Sequence, residues 1–184
     1  MMCNRKFLVF IILFSLVFFR WVEGAMPNEY YGGVFYGLGM KQGENGNWDK
    51  AAGYFRKAVD SDPGLQKAYF QLGAANLKIQ DFSAAVSALL QAIAIDPYDY
   101  KAYNLLGLAY REMGELVEAS ASFDRAIWWP HPPGVEEYVF NSGATRVMLG
   151  NMEGAEVRLQ HLIDLKEDKL ARQLKELIDG QARQ

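Results

Sequence analysis

Apolar and small residues recur along the chain in one fixed order. An aromatic-x-x-Leu-Gly segment is followed by a polar turn, then Ala-x-x-x-apolar, then a stop. The first part reads Phe35, Leu38-Gly39; Tyr69, Leu72-Gly73; Tyr103, Leu106-Gly107. The second reads Ala51 and Phe55, Ala85 and Leu89, Ala119 and Phe123. Each is displaced from the last by 34 residues, as are Pro63 and Pro97. The turns between the halves are GNW, QDF and GEL. A weaker fourth copy has Val139, Ser142-Gly143, the turn GNM, then Ala155 and Leu159.

The apolar positions of each first half recur at helical spacing, so each unit predicts two antiparallel helices. Glycine inside a helix costs about 1 kcal/mol relative to alanine. Its return in register therefore implies that the second helix crosses closely there. Ala51, Ala58, Ala85, Ala92, Ala119 and Ala126 allow the same approach from the other side, with Phe55 and Phe123 filling the remaining volume. Pro63 and Pro97 end the second helices, because proline lacks the N–H and crowds the preceding turn.

This pattern, at this period, resembles the tetratricopeptide repeat family, closely over 32–133 and less closely over 136–167. The resemblance implies an all-α, right-handed superhelical solenoid of about four helix pairs, with units at 32–65, 66–99, 100–133 and 136–167. A capping helix and tail would follow at 168–184. There are departures. The late aromatic of the first helix survives only as Tyr110, against Gln42, Asn76 and Arg146. The third proline is displaced into Pro130-His131-Pro132-Pro133, Ser142 replaces the unit leucine, and Leu162 stands where the repeat has alanine.

Both ends need covers, since a repeat touches only its neighbours. DKLARQLKELID places Leu170, Leu174, Leu177 and Ile178 on one face, an amphipathic helix with Gly180 as its expected stop. No proline separates it from the preceding helix, so the two are open to being continuous. Residues 25–31 read as a linker, with Tyr30 and Tyr31 packing on the first helix.

In this family the first helix of each unit lines a concave face. The matching positions are Tyr36 and Met40; Lys67, Phe70, Ala74, Leu77 and Lys78; Lys101, Asn104, Leu108 and Arg111; and Phe140, Ala144 and Val147. The stripe is apolar with a few cations, which suits a peptide or amphipathic helix bearing some acid. The arrangement some relatives use to grip a C-terminal carboxylate is not met, since Tyr36 and Met40 replace its basic and amide positions. Trp128 aligns with Asp60 and Ala94 and is a candidate outer contact, while Trp129 aligns with Ile95 and is expected to pack.

The first residues suggest an address. Arg5 and Lys6 precede an apolar run from Phe7 to Phe19 broken only by Ser15. As a helix it would span roughly 20 Å against a hydrocarbon core of about 30 Å, short for a membrane span and suited to a signal peptide over 1–24. Retention as an anchor, with Arg20 snorkelling and Trp21 at the interface, is the alternative. The expected location is periplasmic or secreted if cleaved, and membrane-anchored if not.

Net charge is −3. Losing 1–24 removes three cations and one anion and takes the balance to −5. An acidic chain lacks the footprint of a nucleic-acid binder. The only cysteine is Cys3, so a shortened form has no thiol chemistry.

No catalytic or metal motif stands out, and no cofactor is expected. His131 and His161 are far apart in sequence. Gly37, Gly39 and Gly43 imitate a phosphate loop but fall within a helix and its exit, where packing is the expected role. The chain therefore reads as a non-enzymatic scaffold binding another protein, in assembly of an envelope, secretion or pilus complex. Alternatives are a membrane-anchored subunit of a larger complex, an accessory factor to an enzyme, and self-association.

Overall fold

The structure, a computed structural model, describes residues 28–128 and 133–183. The signal or anchor segment, Cys3 and Trp129 lie outside the described residues. Nine helices and no strands are present among those described: α1 Asn28–Glu44, α2 Trp48–Ser61, α3 Gln66–Lys78, α4 Phe82–Ile95, α5 Tyr100–Glu112, α6 Leu116–Ile127, α7 Val135–Met148, α8 Met152–Asp164 and α9 Asp168–Gln181. They pair as hairpins α1–α2, α3–α4, α5–α6 and α7–α8. The second helix of each hairpin packs on the first helix of the next.

The recurrent glycines are where the hairpins close. A Cβ on Gly39 would lie 2.6 Å from the Phe55 ring, one on Gly73 2.5 Å from Leu89, and one on Gly107 2.7 Å from the Phe123 ring. Phe55, Leu89 and Phe123 are almost wholly buried, as are Ala51, Ala58, Ala85, Ala92, Ala119 and Ala126. Gly37 is different. A Cβ there meets nothing within 4 Å, so the packing role expected of it is not found.

The turns inside the hairpins share one geometry. Gly46, Gly114 and Gly150 have φ near +74°, +80° and +74°, and Gln80 takes the same left-handed conformation at +63°. In each turn the next residue donates its N–H to the carbonyl five positions back along the helix end, as Asn47 does to Gln42 and Glu115 does to Tyr110. Between hairpins the stop differs. Asp62 and Asp96 follow α2 and α4 and accept from the N–H groups of Gly64 and Tyr98, each at 3.0 Å.

Three expectations are corrected. Residues 28–31 are helical, so the linker reading of 25–31 fails there; Gly32 lets α1 run on past the end of α2, with its missing Cβ 2.6 Å from that of Asp62. Gly180 does not stop α9, which reaches Gln181. Helices α8 and α9 are separate, because Lys166 adopts φ +62° and Glu167 donates its N–H to the Leu162 carbonyl, repeating the within-hairpin turn.

That last turn brings α9 onto α7 as well as α8. Leu174 enters the space over Gly143, 2.5 Å from where a Cβ would sit, taking the place that Phe55, Leu89 and Phe123 hold over the earlier glycines. Leu162, Leu174, Val139 and Ala155 form a common core. Leu177, expected on the apolar face of α9, remains 44% exposed.

Candidate protein-binding groove

The first helices α3 and α5 flank an open groove of ≈ 330 Å³. Ala74, Leu77 and Lys78 come from α3, Leu105, Leu108 and Glu112 from α5, and Gln80 with Phe82 closes one end. Four of the positions expected on the concave face, Ala74, Leu77, Lys78 and Leu108, thus meet in one place. Apolar side chains form its floor, and Lys78 and Glu112 supply opposite charges at exposed positions.

The other positions fall elsewhere. Tyr36 packs on Phe55 with ring centroids 5.9 Å apart, and Lys67 Nζ stands 4.7 Å from the Tyr36 ring centre. Met40 is half-buried against the first core, and Phe70 against the next. Lys101 is exposed beside Tyr100. Ala144 and Val147 border a separate hollow of ≈ 390 Å³ shared with Leu177 and Gly180 of α9.

Two of the expected contacts are buried. Asn104 is 8% exposed and Val147 6%, so they support the wall and do not present a surface. Asn104 Oδ1 accepts from Asn141 Nδ2 at 3.4 Å, and Asn141 Oδ1 accepts from Arg111 Nη1 at 3.4 Å. Arg111 also lies over the Phe123 ring at 5.7 Å. Its charge therefore ties the third hairpin to the fourth, and it does not line the groove between α3 and α5. Burial first, then Glu115 and Glu118, pushes the Tyr110 phenol above its usual pKa.

Sequence reasoning missed Leu105 and Glu112. Position 105 is Gly37 and Gln71 in the earlier units, so the repeat gave no apolar signal there. It also missed an ionic junction between hairpins three and four. Asp124 accepts from Arg146 Nη2, from Arg158 Nη2 at 2.8 Å, and from the Ser142 hydroxyl at 2.7 Å. Ser142 is fully buried and also accepts from Arg158 Nε at 3.2 Å. The signal was the pair of departures in one unit, serine for leucine and arginine for the late aromatic.

Among the described residues no group of three or more His, Cys, Asp or Glu is arranged to hold a metal, and no helix is long and apolar enough to cross a membrane. Interlocked helical hairpins with an open groove between successive first helices define a helical-repeat solenoid. The chain belongs to the tetratricopeptide repeat family, whose models match residues 36–100 and 88–119.

Among solved structures it is similar to MamA, 29% identical with a TM-score of 0.70, over 82% of this chain and 85% of that one. It is also similar to YrrB, a TPR protein described as having an unusual peptide-binding site. That match is 25% identical with a TM-score of 0.70, over 79% and 74% of the two chains. The heat shock protein STI1 of Saccharomyces cerevisiae is 30% identical over 82 residues, which is 44% of this chain and 14% of the relative's length.

Proposed function

We propose that the protein is a non-enzymatic scaffold that holds a peptide or amphipathic helix of another protein against its concave face. The observation that carries this reading is the meeting of Ala74, Leu77, Lys78 and Leu108 in one open groove. Unlike a closed core, the groove keeps apolar area available to a partner while cationic and anionic groups at its border set orientation. A peptide-binding site described for YrrB, which shares the fold, supports the same use of it.

The scaffold acts outside the cytoplasm, delivered by residues 1–24, and serves in assembly of an envelope, secretion or pilus complex. This part rests on the positive and apolar patterning of the first residues. Placing a photo-crosslinking residue at Leu108 in the native compartment tests the groove. The expected result is a discrete protein adduct that disappears when Leu77→Asp is added. An adduct unaffected by Leu77→Asp removes the groove reading. N-terminal sequencing of the exported protein tests the address, and an intact Met1 removes cleavage.

A further inference from the structure

Comparing one repeat with the next isolates residues the fold does not require. Positions 98, 100 and 128 carry Tyr, Tyr and Trp, whereas 34 residues earlier stand Gly64, Gln66 and Ala94. The second hairpin folds without aromatic residues at these places. In the third, Trp128 is 74% exposed and Tyr98 63%. With Pro97, Tyr100, Tyr103 and Arg125 they line a cleft of ≈ 280 Å³. It lies where the α4–α5 connection meets the last turn of α6, at the opposite end of α5 from the concave groove.

The cleft is held in shape before any ligand arrives. The Tyr98 N–H donates to Asp96 Oδ1 at 3.0 Å, and Asp99 caps α5 by accepting from the Ala102 N–H at 3.0 Å. The other Asp99 oxygen accepts from Gln66 Nε2 at 2.6 Å, fastening the loop to α3. Tyr100 rests on Tyr138 with centroids 6.1 Å apart, and the Arg125 guanidinium sits 5.7 Å from the Tyr103 ring centre. The Tyr100 and Tyr103 rings, held in this way, spare a ligand the cost of ordering them.

Their chemistry selects the ligand. Flat aromatic faces suit the ridges of a polyproline II strand, itself stiff and cheap to immobilise. Proline has no N–H, so such a strand presents carbonyl acceptors, and the side chains lining the cleft bring phenol, indole and guanidinium donors. Arg125 adds a preference for a carboxylate beside the prolines. Single-stranded nucleic acid also stacks on aromatic residues, but it needs a row of cations to track its phosphates, and among the described residues lining this cleft Arg125 is the single cation. We propose that this cleft binds a proline-rich segment with an adjacent acidic residue on a partner protein, at a site separate from the concave groove.

The test titrates the full chain into a fluorescently labelled Pro-Pro-Pro-Pro-Glu-Glu peptide and follows anisotropy. Matched peptides replace the prolines with alanine or the glutamates with lysine. Binding of the first peptide is expected, with a loss of about tenfold or more for the alanine peptide and for Trp128→Ala and Tyr98→Ala. Circular dichroism confirms that these exposed positions leave the fold intact. Arg125→Gln is expected to erase the preference for glutamate over lysine while keeping that for proline, and Leu108→Asp to change nothing. Equal affinity for the alanine peptide, no binding at millimolar protein, or full binding by Trp128→Ala overturns the proposal. So does loss of binding in Leu108→Asp, which moves the peptide to the concave groove. Binding of phosphatidylserine vesicles, abolished by Trp128→Ala in the absence of peptide binding, assigns the patch to a membrane and also overturns it.

Discussion

A single methyl group has opposite consequences at two glycines of this chain. At Gly107 it would strike the Phe123 ring, which is fully buried and has nowhere to move. Gly107→Ala is expected to destabilise by about 1–3 kcal/mol, the usual cost of overpacking. At Gly37 the methyl meets open space on a regular helix, so Gly37→Ala is expected to stabilise by about 0.5–1 kcal/mol. Urea melts of the two variants check both signs, and equal effects would deny the close crossing. His161 supplies a pH dependence. Burial, then the Arg158 charge, holds its pKa below the ordinary 6.5, with Asp164 opposing. The folded state thus disfavours the imidazolium. The contribution is fully present above about pH 6.5 and is lost as pH falls through the folded value. The stability difference between wild type and His161→Gln is expected to change across that window and stay flat above it, as measured by melts from pH 7.5 to 5.

Between elements, the hairpins are held by two different chemistries. The first three interlock through small and aromatic residues, whereas the third and fourth are joined through Asp124, Ser142, Arg146 and Arg158. Removing the carboxylate leaves two half-buried guanidinium groups facing each other. Asp124→Ala is expected to cost about 2 kcal/mol, below the full penalty of a buried pair because the site is partly wet. Chemical denaturation measures it, and a loss under about 0.5 kcal/mol would make the junction ornamental. The two chemistries also explain what could be read from the sequence. The 34-residue order of Leu-Gly, Ala and Pro was visible because each small residue answers a local crossing that recurs. The ionic junction was not, because its other members lie 18 to 34 residues from Asp124 and each, alone, looks like a degraded repeat position. The first turns of α1 were misread for a similar reason. A Gly-Gly pair suggests a loop until Gly32 is seen lying against Asp62. Half of the groove was legible from family positions, while Leu105 and Glu112 depend on how α5 turns toward α3.

At the scale of the whole molecule, α9 belongs to the fourth hairpin as much as α8 does. A chain ending at Leu165 would bare Leu162 and leave the hollow over Gly143 unfilled. Hydrogen exchange on that chain is expected to show α7 and α8 losing protection while α1 to α6 keep theirs, since repeats depend on nearest neighbours. Protection of α7 at its full-length value would show that α9 is dispensable to the fold. The opposite end is built otherwise. Leu38 occupies the position of Leu72 and Leu106, which are 7% and 4% exposed, yet it is itself 39% exposed. Among the described residues no helix covers α1 as α2 covers α3 and α4 covers α5, whereas Leu174 fills the space over Gly143 at α7. An engineer wishing to extend the array beyond α8 would first have to displace α9, because Leu174 already fills the space over Gly143.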